Sequence, residues 1–177
     1  LTKGFPLGER VLSLAPAVAP LAGGLAPGAA IPGGLNGQTK VGTTALETAG
    51  FDRITLKSRD AIRLEDNLNL GANRALSLKE VVLDAPRIET AGGKAALKAE
   101  NLRLGNYDIN RVDGVKTPVA GSGTLKADAQ LLELAGNLTL TGMESAELNG
   151  TQEVRLSGVS SSGLPRPTGT LATAADL

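Results

Sequence analysis

The chain has no cysteine, no histidine and no tryptophan, and only two phenylalanines and one tyrosine among its 177 residues. Without cysteine there are no disulfides, no thiolate metal sites and no thiol nucleophiles. Without histidine the usual imidazole base and metal ligand are missing too. Phe5, Phe51 and Tyr107 are too few and too scattered to build stacking platforms for sugars or unpaired bases. Net charge is also lacking: 18 basic residues balance 18 acidic ones. A neutral chain offers no electrostatic footprint for nucleic acid or an anionic membrane, so neither nucleic-acid binding nor membrane insertion is expected. Nor is there a long apolar run, since the weakly polar stretch from Val11 to Pro32 is broken by Pro16, Pro20, Pro27 and Pro32. No basic and apolar leader with a cleavage site precedes it, and the chain reads as part of something longer.

What the chain does have is leucine at regular intervals. Apolar residues alternate at a spacing of two in Ile54-Thr55-Leu56, Ile62-Arg63-Leu64, Leu68-Asn69-Leu70, Leu102-Arg103-Leu104, Leu132-Glu133-Leu134, Leu138-Thr139-Leu140 and Val154-Arg155-Leu156. Each such unit is a short strand with one buried face. Read as three columns, Leu56, Leu64 and Leu70 are followed by Leu78, Leu83 and Ile88, then Leu97, Leu104 and Ile109, then Ala127, Leu134 and Leu140, then Leu148 and Leu156. Three strands per repeat, each stacked on its equivalent in the next, predict an all-β fold: a right-handed parallel β-helix of about five coils.

Composition divides the chain into three regions. Residues 1–45 hold five of the nine prolines and read as an irregular Pro/Gly-rich cover, with a short alternation at Val11-Leu12-Ser13-Leu14. Residues 46–158 are the repeat array, and residues 159–177 read as a linker or the start of another coil. Within the array, Leu83 to Leu104 is 21 residues but Leu104 to Leu134 is 30, which marks residues 105–123 as an insertion. Its Val112-Asp113-Gly114-Val115 is a hairpin signal, flanked by Tyr107, Asp108, Arg111 and Lys116. Loops leaving a repeat wall are where binding tends to be placed, so this segment is read as decoration of the wall that is also the first candidate for a receptor contact.

No catalytic, cofactor-binding or metal-ligating residues are expected, and no cofactor. Outward charges Arg63, Arg103, Glu133 and Arg155 are expected on one column, where neighbouring opposite charges support each other. Polysaccharide hydrolysis on a β-helical wall, the alternative reading, needs converging carboxylates on adjacent rungs, and no such pair is visible. Ala91-Gly92-Gly93-Lys94 lacks the first glycine and the hydroxyl residue of a phosphate loop and reads as a corner. The tripeptides at Asn137 and Asn149 that match a glycosylation acceptor arise readily by chance.

The run GFDRITLKSRDAIRL from Gly50 to Leu64 is followed by Leu76-Ser77-Leu78, Leu83-Asp84-Ala85-Pro86, Ala91-Gly92-Gly93 and Leu102-Arg103-Leu104-Gly105. GSGTL from Gly121 and LAGNL from Leu134 complete the series. In order and spacing, residues 40–158 resemble the C-terminal-half repeat domain of filamentous haemagglutinin-like exoproteins, the secreted partners of bacterial two-partner secretion. The resemblance implies a segment of a long surface fibre, passed outward by an outer-membrane transporter and serving adhesion, biofilm formation or presentation of a distal effector. It implies a secreted or cell-surface location and carries over no catalytic residue.

Overall fold

The computed structural model describes residues 8–19, 37–74, 77–108, 116–158 and 170–177. These form twelve strands and one short helix. In chain order they are β1 (Val11–Ala15), β2 (Gln38–Gly42), α1 (Thr43–Thr48), β3 (Arg53–Lys57), β4 (Ala61–Leu64), β5 (Leu68–Leu70) and β6 (Glu80–Asp84). Then come β7 (Arg87–Thr90), β8 (Lys94–Gly105), β9 (Ala120–Ala135), β10 (Asn137–Thr141), β11 (Met143–Ser157) and β12 (Thr170–Thr173).

The strands lie in two six-stranded sheets. One runs β12-β10-β7-β4-β1-β2; the other runs β11-β9-β8-β6-β3, with β5 paired to β8. Each pairing between these strands is parallel. A parallel sheet needs a crossover between neighbouring strands, and here the crossover is a strand of the other sheet: β6 leads to β7 across the core, which leads back to β8. The inner faces share one core, in which Leu14, Ile62, Leu64 and Ile88 of the first sheet meet Leu83, Leu102, Leu104 and Leu132 of the second. Each of these leucines and isoleucines, removed from water, contributes roughly 1.5–3 kcal/mol before entropy is counted.

The expected single closed right-handed parallel β-helix of about five coils is therefore corrected. The strands divide into two parallel sheets, and among the described residues no third wall closes them. The physical reason lies in the long strands. β8, β9 and β11 run 12, 16 and 15 residues. In β8 and β9 the apolar alternation slips phase, at Glu100-Asn101 and at Gln130-Leu131, which from sequence reads as the end of one strand and the start of another. Neither slip contains glycine or proline, and the chain passes it with two adjacent residues less buried than their neighbours and continues as strand.

Register corrects the columns as well. Leu83 lies opposite Leu56 on one side and Leu104 on the other, not between Leu64 and Leu104. The column continues to Leu134 and Leu156. Leu70, Leu97, Ala127 and Leu148 form a second column of the same sheet. Leu64 belongs to the other sheet, opposite Leu14 and Thr90. The expected columns Leu83–Leu104–Leu134–Leu156 and Leu97–Ala127–Leu148 coincide with the observed register; the first repeat is displaced by one column, and Ile88 stands directly opposite Leu140, where the third column set Ile109 between them. Ile109 lies outside the described residues.

Two further segments are more regular than composition suggests. Val11–Ala15, in the Pro/Gly-rich region, is a full member of the first sheet, hydrogen-bonded between β2 and β4 with Leu14 wholly buried. Thr170–Thr173 adds an edge strand beside β10. The helix α1 leaves no trace in the sequence pattern, because six residues are too few to show a helical period. It closes with the Ala49 amide on the Ala45 carbonyl, and Gly50 follows at φ +78°.

Candidate functional site

Outward positions of the second sheet form a column in which Val82, Arg103, Glu133 and Arg155 stand opposite one another strand by strand. The expected member Arg63 lies instead on the first sheet, opposite Glu89. Arg103 Nε donates to Glu133 Oε2 at 2.7 Å, and its Nη1 reaches Glu80 Oε1 at 3.8 Å. The Arg103 guanidinium also stacks over the Tyr107 ring, 4.9 Å from its centre. Tyr107 Oη donates to Glu133 Oε2 at 3.2 Å, and Ser157 Oγ to Glu133 Oε1 at 2.8 Å. Burial pushes the Glu133 carboxyl up, but the hydrogen bonds from Ser157 and Arg103 outweigh it and hold the group below the usual carboxylate range. Burial, reinforced by the neighbouring Glu133 charge, drives the Tyr107 phenol well above its ordinary value.

A second network crosses the first sheet. Arg63 Nη2 meets Glu89 Oε1 at 2.6 Å, and Arg87 Nε meets Glu89 Oε2 at 2.8 Å. Arg87 is almost wholly buried, and its Nη2 also pairs with Glu9. Lys116 Nζ reaches the same Glu9 oxygen at 2.8 Å. Burial alone would lower the Arg87 pKa, but the carboxylates of Glu89 and Glu9 outweigh it and raise the value, which is why a buried guanidinium is tolerable here.

The two networks pin both described ends of the segment 105–123. Tyr107 is half-buried against the second sheet, and its amide donates to Asp84 Oδ1 at 3.1 Å. Lys116 is tied to Glu9 beside the first sheet. Asp108 is half-buried. Arg111, Asp113 and Gly114 lie outside the described residues. The segment ends inside β9: residues 120–123 are strand, with the Gly123 amide on the Gly142 carbonyl at 3.3 Å. So Tyr107 lies down on the wall and does not project from it.

One feature is not foreshadowed by the sequence, a cleft of about 560 Å³ between α1 and the turns around β5, lined by Thr43, Glu47, Asn67, Asn69, Asn73 and Arg74 among others. The Glu47 carboxylate accepts the Gly71 amide, and Asn67 Oδ1 accepts the Lys94 amide at 2.8 Å. The cleft depends on α1, which has no readable period, so no signal in the chain marks it. Gly92 and Gly93 both take left-handed φ, 92° and 85°, in the turn entering β8; no helix begins there, so no phosphate cradle forms. Asn149 Nδ2 is engaged with Asp128 at 2.9 Å, and Thr139 is buried.

The chemistry available on these walls is that of paired charges. The Ser157 hydroxyl and Arg103 hold Glu133 below the usual carboxylate range, and Lys116 and Arg87 do the same for Glu9, so both carboxylates are ionised members of these networks near neutral pH. Among the described residues no three acidic groups gather where a metal ion could be held, and no helix is long and apolar enough to cross a membrane. Comparison with protein-family models, with curated proteins and with solved structures finds no match for this chain.

Proposed function

We propose that the chain is a structural and adhesive segment of a large secreted bacterial surface fibre, exported with the help of an outer-membrane transporter. One observation carries the reading: an unbroken inward column, Leu56–Leu83–Leu104–Leu134–Leu156, advances one strand at a time under an outward column of alternating charge, Arg103–Glu133–Arg155. Each strand satisfies its neighbour and adds length, which is the property a spacer needs. The resemblance of residues 40–158 to filamentous haemagglutinin-like repeats supports the same reading. The Tyr107–Arg103–Glu133 face, with the segment it anchors, is the surface offered to a receptor on a host or bacterial cell.

Beads coated with the purified chain test this directly. They are expected to adhere to bacterial or epithelial cells, and soluble chain should compete for the same sites. Absence of adhesion together with release of new reducing ends from an acidic polysaccharide would replace the adhesive reading with the hydrolytic one.

A further inference from the structure

The second sheet ends at β11, and among the described residues the last half of that strand is an uncovered continuation of the core. Leu132 and Leu134 on β9 are buried, yet their register partners Val154 and Leu156 on β11 are 49 % and 74 % exposed. Residues near the C-terminus sit on the first half of the same strand, where the Ala146 amide donates to the Asp176 carbonyl and the Asp176 amide to the Glu144 carbonyl. The register against β9 shifts between Gly150 and Glu153; beyond that irregularity residues 153–157 present a parallel-sheet edge with no further described strand beside it, and Val154 and Leu156 continue the inner face. A bare edge of this kind is a template for another strand.

We propose that residues 153–155 pair with the same residues of a second copy, in antiparallel register centred on Val154. The sequence of the edge selects this partner. A two-fold axis through Val154 sets Glu153 opposite the partner's Arg155 and Arg155 opposite the partner's Glu153. Directly opposed residues of unlike charge stabilise an antiparallel pair, and like charges oppose it. Centring on Glu153 or on Arg155 would place identical charges face to face, so those registers are disfavoured. In the isolated chain the two groups make do with each other, Arg155 Nη2 lying 3.0 Å from Glu153 Oε2 on the same exposed strand. The inner faces meet at Val154, which opposes the partner's Val154 directly; Leu156, opposite the partner's Gln152, flanks that contact diagonally from each copy. The two sheets then become one, with the apolar end of each core covered by the other.

Sedimentation velocity of the full chain across a concentration series tests the proposal. The expected result is a monomer–dimer equilibrium that stops at two. Glu153→Arg or Arg155→Glu alone should weaken it about tenfold, since each change opposes like charges at two symmetric positions. The double variant E153R/R155E should restore it, because the exchange rebuilds both pairs. Leu156→Asp should remove it. These side chains are exposed, so unchanged circular dichroism and melting temperature show that each variant is folded. A chain that stays monomeric at its highest soluble concentration overturns the proposal, as does growth beyond a dimer or a double variant no better than the singles.

Discussion

Arg103 Nε donates to Glu133 Oε2 at 2.7 Å across a single strand spacing, joining β8 to β9 on the outer wall. The pair is stiffened by the Tyr107 ring against the guanidinium and by the Tyr107 and Ser157 hydroxyls on the carboxylate. Three strands and the start of the 105–123 segment thus meet at one carboxylate.

Glu133→Gln is expected to lower stability by about 1–2 kcal/mol, since hydrogen bonds to a charged group are lost while the shape is kept. Its effect should depend on pH. The folded carboxyl titrates below its unfolded value of about 4.3, so its contribution is full above that value and is lost as pH falls through the lowered folded pKa. Denaturant melts of the parent should therefore lose stability below about pH 4, and those of Glu133→Gln should lose less.

Tyr107 is the sole tyrosine in a chain without tryptophan, so tyrosinate absorbance reports on it alone. Its raised pKa predicts that the folded protein shows no tyrosinate as pH passes about 10, the ordinary midpoint. Above that pH the unfolded chain gives up its proton and the folded one keeps it, so stability should fall as pH rises further. A spectrophotometric titration with a midpoint near 10 in the folded protein would show that Tyr107 stands free in solvent.

The core column predicts contrasting leucines. Leu83 is wholly buried between Leu56 and Leu104, and Leu83→Ala should cost about 2–5 kcal/mol. Leu156 occupies the same column but is 74 % exposed, and Leu156→Ala should change stability by less than about 0.5 kcal/mol. Chemical denaturation of the two variants at low concentration, where self-association is minimal, gives both values.

Period-two alternation makes the strands legible, and repeat spacing makes the register from Leu83 to Leu156 legible, because each inward leucine there returns after one whole repeat. The first repeat misleads because Leu56 and Leu64 are eight residues apart and look like two walls of one coil, whereas the chain has crossed from one sheet to the other between them. The expectation of a closed β-helix rests on phase slips at Glu100-Asn101 and Gln130-Leu131, through which the chain continues as strand. The contacts of Tyr107 with Glu133, 26 residues away, and of Lys116 with Glu9, 107 residues away, join elements that no local pattern relates. The α1 cleft is invisible for the same reason.

Strand register defines the two-sheet arrangement, and the absence of cysteine makes it directly measurable. Arg53 and Glu80 stand opposite each other on β3 and β6, both directed outward. The displaced register would instead set Ala61 opposite Glu80. The double variant R53C/E80C is predicted to form an intramolecular disulfide on mild oxidation, seen as a mass loss of about 2 Da and a faster-migrating band, with the fold retained. A61C/E80C should stay reduced. Cross-linking of A61C/E80C in place of R53C/E80C would contradict the two-sheet arrangement.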